Sequence, residues 1–385
     1  MLPHMMSRVS PARAAAFQVL SLVEEGGYAS DLLLRDTASL SSRDAGLASE
    51  IVFGCLRRQA QLDYLIDGQT AGRKLDRAVR IALRMGLYQL RHLDRVPPHA
   101  ATGESVELVK KARKTSAAGL VNAVLRRAAR GDVDWPSRDV ALSVPLWLLR
   151  SWDAQFTPEI ADRIAAAFLQ RPETYVRNPP QDRSDLVLEP ADIPGAFRVV
   201  SGDIEGLRVQ DIGSQSIVPL LDLQPGLTFL DLCSAPGNKT AQALESGVTG
   251  IACDLHWHRL RNVGGGCGRV VLDATQPLPF RGQFDRILID APCSGTGTLA
   301  RNPEIRWRLK PDDIEELHVK QAAILRQGLS QLKRGGRLVY STCSLERREN
   351  EDVIASVENA RVIETVRRTP GVQPGDGFFA AVLTS

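Results

Sequence analysis

Leu227-Thr228-Phe229-Leu230-Asp231-Leu232-Cys233-Ser234-Ala235-Pro236-Gly237-Asn238-Lys239-Thr240 is an apolar run of strand length that reaches a carboxylate and breaks into a turn containing Pro236 and Gly237. Short apolar or β-branched runs recur at Val248 to Cys253, Arg269 to Leu272, Phe284 to Ile289 and Arg337 to Ser341, each closed by a polar or glycine-containing turn. Between them lie helical stretches. This alternation implies a parallel sheet with helices on both faces. In such a sheet ligands bind beyond the carboxyl ends of the strands. Asp231, Asp254, Asp273 and Asp290 stand at or just past four successive strand ends and are therefore expected to ring one crevice.

That ring meets the needs of S-adenosylmethionine. Pro236 and Gly237 let the backbone of Cys233 to Lys239 approach a ligand closely. Asp254 can accept both ribose hydroxyls, and Asp273 can meet the adenine amino group. A dinucleotide site would need Gly-x-Gly-x-x-Gly after the first strand, and none follows Asp231. Two cysteines follow later strands, Cys293 in Asp290-Ala291-Pro292-Cys293-Ser294-Gly295-Thr296-Gly297 and Cys343 in Ser341-Thr342-Cys343-Ser344. The pair suits methylation of cytosine at C5. That ring carbon is too electron-poor to take a methyl group until a thiolate adds to C6, and the adduct must then lose its C5 proton before the thiol leaves. One cysteine attacks and a second can help release.

The chain has 385 residues, enough for two or three domains with cores of their own. With 43% apolar and 24% charged residues and no run of about 18 apolar residues, it reads as soluble and cytoplasmic, without a membrane partner. The six cysteines form no CxxC pair and no Cys/His zinc spacing, so neither a metal site nor a disulfide framework is indicated.

Charge is unevenly spread. Residues 1–135 hold 20 Lys and Arg against 14 Asp and Glu, and the remainder 28 against 31. Arg73, Lys74, Arg77, Arg80 and Arg84, with Lys110, Lys111, Arg113 and Lys114, are candidates to meet a phosphate backbone, although short basic clusters are equally common on ordinary solvated helix faces. The same third reads as all helical: Pro11 to Leu34, Leu47 to Ile66, Leu75 to His92 and Thr102 to Arg130 carry apolar residues at spacings of three and four. Ser41 or Ser42 is a candidate N-cap. Glu50 to Arg57, Arg84 to Leu90 and Gly119 to Arg126 resemble the NusB-like RNA-binding bundle, which supplies the RNA assignment.

Residues 136–208 read as a linker and small RNA-contacting subdomain, with Trp147, Trp152 and Phe156 packing together. Asn178-Pro179-Pro180-Gln181 resembles the Asn-Pro-Pro-aromatic motif of amino-group methyltransferases, but it lacks the aromatic and no strand is predicted before it, so it reads as a proline turn.

From Val209 to Ser385 the chain resembles RNA cytosine-C5 methyltransferases of the Fmu/Sun group. The resemblance rests on Val209 to Gln215, Asp231 to Thr240, Asp290 to Trp307, Ser341 to Ser344 and Asp376-Gly377-Phe378-Phe379. With the helical third, the chain is similar to the small-subunit ribosomal RNA members of that group. The resemblance implies a NusB-like helical bundle (1–135), then a Rossmann-like class I S-adenosylmethionine-dependent methyltransferase domain (209–385). It further implies Cys343 as nucleophile, Cys293 as the residue that assists release, and Asp290 as the partner of the cytosine N3 and amino group. Cofactor contacts fall on Cys233, Ser234, Ala235, Pro236, Gly237, Asn238, Lys239, Asp254, Asp273 and Asp290.

Small-subunit (16S) ribosomal RNA is the expected partner, DNA is not, and the chain is expected to be a monomer. A non-catalytic RNA-binding or assembly factor with a vestigial methyltransferase fold is the alternative. The chain departs from the group in having Asn238 where a second glycine is usual; Asn tolerates left-handed backbone, which would preserve the turn. It also has only nineteen positions from Asp254 to Asp273, which predicts a truncated helix between them. Because the motifs and alternating strands all lie downstream, the catalytic domain is expected to fold and bind cofactor without residues 1–135.

Overall fold

Breaks in the apolar periodicity of the first third become helix ends. In a computed structural model describing residues 9–128, 131–180, 182–358 and 360–384, the helices α1 (Pro11–Val23), α2 (Ala29–Asp36), α3 (Ser42–Arg57), α4 (Gln59–Thr70), α5 (Arg77–His92), α6 (Pro98–Lys111) and α7 (Ala118–Ala128) follow in order. The Ser41 hydroxyl caps α3 by accepting the Asp44 N–H at 3.1 Å. The stretch read as one helix around residues 47–66 is two, because Arg58 leaves helical geometry at φ −110°, ψ 20°. Ile51 and Cys55 of α3, Leu62 and Ile66 of α4, and Leu83 and Leu87 of α5 are buried in one core.

Two units organise the chain. One runs through Arg150 and takes in Phe168–Gln170 and Leu299–Trp307; the other holds Ser151–Ala167, Arg171–Thr298 and the chain from Arg308 onward. The membership of Leu299–Trp307 bears against the expectation that the catalytic domain stands without the helical third. Within the first unit the Arg57 Nε donates to the Ala300 carbonyl at 2.8 Å, Trp307 Nε1 to the Leu56 carbonyl at 2.8 Å, and the Ala29 N–H to the Glu304 carboxylate at 2.9 Å. Arg306, fully buried, donates to the carbonyls of Ser143, Leu299 and Phe168. Burial pushes its guanidinium down to about 9.

After α8 (Arg138–Leu142), α9 (Leu146–Gln155) and α10 (Pro158–Ala167), the strands β1 (Tyr175–Arg177), β2 (Val187–Pro190) and β3 (Ala196–Ser201) form a small antiparallel sheet in the order β1-β3-β2. A strand therefore does precede Asn178, contrary to the sequence reading. It belongs to this small sheet, and the Asn178 amide is spent on Glu245 at 3.0 Å.

The main sheet is where the alternating pattern leads. A short α11 (Ile212–Gln215) precedes β4 (Thr228–Asp231), which continues through α12 (Asn238–Leu244), β5 (Thr249–Asp254), α13 (Trp257–Leu260), β6 (Gly268–Val271) and β7 (Phe284–Asp290). Then come α14 (Ile305–Arg308), α15 (Pro311–Ser330), β8 (Leu332–Thr342), β9 (Arg361–Arg368) and β10 (Phe378–Thr384). The order is β6-β5-β4-β7-β8-β10-β9. The first five are parallel, as predicted; β10 lies antiparallel to both β8 and β9, so the sheet is mixed.

Alternate residues serve opposite faces. Leu230, Ile287, Leu338, Tyr340 and Phe379 join Ala322 and Leu325 of α15 in one core, whereas Phe229, Leu288, Val339, Phe378 and Val382 join Ala243 of α12 and Leu221 in the other. Strand order reverses on either side of β4, which opens a crevice at the carboxyl ends of β4, β5, β7 and β8.

Candidate active site

Asp231 and Asp254 end β4 and β5, Asp290 ends β7, and Cys343 is the first residue past β8. The turn after β4 is drawn against its neighbours. Ser234 donates through both its N–H and its hydroxyl to the Cys253 carbonyl, at 2.8 and 2.9 Å, and the Cys233 N–H points to Asp231. Gly237 caps α12 at φ +110°, and a Cβ there would stand 3.0 Å from the Val263 backbone, so only glycine fits. The left-handed position is thus Gly237 alone. Asn238 is the first residue of α12 and does not need the left-handed tolerance ascribed to it; its amide donates to the Val209 carbonyl at 3.3 Å. Ala235 and Pro236 are joined by a cis peptide, and the Ala235 carbonyl accepts from Arg259.

Buried carboxylates flank this turn. Asp254 is 6% exposed; its Oδ1 accepts the His256 N–H at 2.9 Å, while Arg259 lies 4.0 Å from Oδ2, which leaves acceptor capacity for a diol. Asp231 is fully buried, which pushes its carboxyl up to about 7 despite the Thr240 hydroxyl it accepts at 2.6 Å. Asp273, two residues beyond β6, is exposed, and its Oδ1 caps the Thr275 N–H and hydroxyl, which holds its carboxyl below the usual range. The helix between β5 and β6 is the four-residue α13, short as the spacing implies. Exposed Leu255, next to Asp254, provides an apolar face beside it. A glycine that admits close backbone approach and a carboxylate with a spare oxygen fit an adenosine-bearing sulfonium ligand. When bound, S-adenosylmethionine supplies an electrophilic methyl group.

On the other side of Asp231 the reactive side chains converge. Lys239, read from sequence as a ligand contact or an exposed residue early in a helix, is 8% exposed; its ammonium meets Asp290 Oδ2 at 2.7 Å and lies 5.0 Å from the Phe378 ring centre. Asp290 Oδ1 accepts the Ser341 hydroxyl at 3.0 Å. The sulfurs of Cys293 and Cys343 are 3.3 Å apart, both half-buried. The Cys343 sulfur as hydrogen-bond partner, together with burial, pushes the Cys293 thiol well up.

The loops bearing the two cysteines are stitched together through backbone. The Gly297 N–H donates to the Cys343 carbonyl at 2.8 Å, and the Leu345 N–H to the Thr296 hydroxyl at 2.9 Å. A Cβ on Gly297 would stand 2.4 Å from the Gly377 carbonyl, and one on Gly377 would stand 2.9 Å from the Gly297 Cα, so both positions need glycine.

Several residues went unnoticed in the sequence. Glu349, fully buried, accepts hydrogen bonds from Ser294 and Ser344, the residues that follow the two cysteines, and from Gln321. A carboxylate six positions after Cys343 in a charged loop carried no signal beyond its proximity. The basic cluster also needs correction. Arg80 and Arg84 are tied to Asp63, with Asp67 and Glu24 as further partners, while Arg77 pairs with Glu25 and Lys110 with Glu107. Exposed Arg73, Lys74, Lys111 and Arg113 make no ion pair among the described residues. Lys114 pairs with Asp76 at 2.7 Å, and this contact brings those two short basic segments to one edge.

A sheet of this order with its carboxylates and reactive side chains at one crevice defines a Rossmann-like methyltransferase domain, here following a helical bundle. The profile of the NusB family matches residues 10–130, and that of the 16S rRNA methyltransferase RsmB/F family residues 218–384. Ribosomal RNA small subunit methyltransferase B of Shigella flexneri serotype 5b (strain 8401) is 35% identical over 420 residues, covering 96% of this chain and 97% of its own. The protein of that name from Escherichia coli (strain SMS-3-5 / SECEC) gives the same identity and coverage.

Among solved structures, PH0851 shares the fold with a TM-score of 0.80 over 98% of this chain and 99% of its own, at 20% identity. A methyltransferase homolog protein from Pyrococcus horikoshii does so with 0.56 over 64% and 97%, at 24% identity. The chain belongs to the RsmB/F family of RNA methyltransferases, whose methyl donor is S-adenosylmethionine.

Proposed function

We propose that this protein methylates C5 of a cytosine in small-subunit (16S) ribosomal RNA through a covalent bond between the Cys343 sulfur and C6 of the base. The observation that carries the reading is the 3.3 Å separation of the Cys343 and Cys293 sulfurs beyond adjacent strands β7 and β8, next to Asp290. The Cys293 sulfur faces the Cys343 sulfur at hydrogen-bond distance, and that contact, with burial, raises the Cys293 thiol. Asp290, held between Lys239 and Ser341, meets the cytosine N3 and amino group, where charge develops as sulfur adds. Once the Cys343 sulfur is bonded to C6, the contact that raised the Cys293 thiol is gone; after the methyl group reaches C5, Cys293, its own proton released to solvent, takes the C5 proton. The electron pair of that C–H bond re-forms the C5–C6 double bond, and the Cys343 sulfur departs.

Bisulfite mapping of 16S ribosomal RNA from a deletion strain and its parent tests the substrate: one cytosine loses its methyl group in the deletion, and an unchanged map overturns the assignment. Cys293→Ala tests the division of labour. Addition and methylation proceed without Cys293 while elimination stalls, so a covalent protein–RNA adduct accumulates on a denaturing gel. Normal turnover with no adduct would return Cys293 to a packing role.

RNA is held in part by the unpaired edge of the helical unit. Neutralising Arg73, Lys74, Lys111 and Arg113 together to Gln is expected to weaken RNA binding and to flatten its salt dependence, by roughly 0.7 to 0.9 in log–log slope for each phosphate that is no longer neutralised. Neutralising Arg77, already paired with Glu25, is the control and leaves the slope nearly unchanged. A salt series with the same slope for the fourfold variant and the parent would remove this edge from RNA recognition.

A further inference from the structure

Glu349 is a fully buried carboxylate, and among the described residues no cation lies at its oxygens. Its Oε1 accepts the Ser294 N–H at 2.8 Å and the Gln321 amide at 3.0 Å; its Oε2 accepts the hydroxyls of Ser294 and Ser344. Burying a charge is costly unless donors surround it. For simple packing between two loops a neutral side chain would do. The carboxylate instead gathers four donors, three of them from the residues directly after Cys293 and Cys343. Two further bonds fix the frame around it. Gln321 also donates to the carbonyl of Pro292, directly before Cys293, at 2.9 Å, and the Tyr340 hydroxyl donates to the Glu349 carbonyl at 2.7 Å. The nearby Asn350 adds its own pair, accepting the Thr342 hydroxyl and donating to the Ser344 carbonyl at 3.0 Å.

We infer that Glu349 is a positioning residue that sets the spacing of the two cysteines, by clamping Ser294 and Ser344 to one carboxylate. The inference rests on the proposed division of labour between Cys343 and Cys293. Charge-assisted hydrogen bonds are shorter and stiffer than neutral ones, so the charge of Glu349 limits how far the two loops can part. Glu349→Gln keeps the shape and removes the charge. Its amide nitrogen cannot accept, so at least one serine hydroxyl must find another partner or turn.

The test has a catalytic and a non-catalytic arm, each comparing the wild type with Glu349→Gln and with Ser344→Ala, the second variant removing a single hydroxyl from the clamp. In the first arm, kcat falls by roughly 10- to 100-fold in Glu349→Gln, the scale of a misplaced reacting group. S-adenosylmethionine affinity and the KM for RNA stay within about twofold of wild type, because the clamp touches neither; the intended contrast is one-sided loss in kcat. Ser344→Ala shows the same split to a smaller degree.

In the second arm phenylarsine oxide, a trivalent arsenical that bridges two close thiols, is titrated without RNA or cofactor. The wild type is expected to bind it through Cys293 and Cys343, and Cys293→Ala and Cys343→Ala are expected to lose that binding. Glu349→Gln binds it roughly tenfold more weakly, because the second thiol closes the bridge at a lower effective concentration. Wild-type arsenical affinity in both clamp variants, or an unchanged kcat in both, overturns the inference. If Cys343→Ala keeps its turnover, the covalent reading falls instead, and the arsenical arm still decides the spacing. If Glu349→Gln fails to fold, Ser344→Ala decides both arms.

Discussion

Cys343→Ala abolishes methyl transfer while S-adenosylmethionine binds as before: this is the largest catalytic effect expected of any single substitution. The nucleophile is lost outright, and the proposed division of labour gives Cys293 a part in release, not in attack. Removing the nucleophile of a covalent mechanism costs on the order of 10⁴-fold or more in kcat. The cofactor side is spared because the groups that fit it, the Gly237 turn and the Asp254 carboxylate, make no hydrogen bond to Cys343. That sulfur meets Cys293, and its carbonyl accepts from Gly297. Transfer of a labelled methyl group to RNA, beside calorimetric titration with S-adenosylmethionine, checks both halves. Near-normal turnover in the purified variant would sink the covalent reading. A parallel loss of cofactor affinity would mean that the substitution disturbs the crevice as a whole.

The crevice was legible because its determinants are local. Each of Asp231, Asp254 and Asp290 follows an apolar run of strand length closed by a turn, and a parallel sheet brings successive strand ends to one edge. Cys343 followed from the same logic. Asp273 reaches that edge too, but a carboxylate two residues past a strand is also a turn former, and here one of its oxygens caps Thr275. The residues that escaped are those whose meaning depends on partners far along the chain. Lys239 reads as either a ligand contact or an exposed residue early in its helix, and what decides between them is Asp290, fifty-one positions away, which meets its ammonium. Arg84 reads as a free cation until Asp63 and Glu24 take it.

The edge strands illustrate the same limit. Arg361 to Arg368 alternates weakly and carries charge, as an outermost strand does, so its pairing with β10 was invisible without the C-terminal Phe378–Thr384 beside it. Glu349 is the extreme case, a charge in a charged loop whose burial no local pattern announces.

The second large effect concerns the helical third. Deleting residues 1–135 is expected to yield no stable catalytic domain, in place of the separable module that the order of motifs implied. The reason is the segment Leu299–Trp307, which continues directly from the Cys293 loop yet packs within the helical unit. Deletion removes the guanidinium that serves the Ala300 carbonyl, the carbonyl that serves the Trp307 indole and the N–H that serves Glu304, a carboxylate only 1% exposed. Each of these hydrogen bonds, exchanged for one to water, is worth about 0.5 to 1.5 kcal/mol, and up to about 3 at the charge of Glu304. Three such losses, with the exposure of Leu299, approach the roughly 5 to 15 kcal/mol that holds an ordinary domain together.

Thermal melts in the presence of S-adenosylmethionine read the outcome: the truncated chain is expected to aggregate or to melt without cooperativity. Co-expression of a fragment spanning residues 1–150, which restores the missing partners in trans, is expected to recover a cooperative transition. A monomeric truncated protein with a sharp melt and full cofactor affinity would show that Leu299–Trp307 finds new partners when the bundle is gone. The helical third would then be a detachable RNA-binding arm.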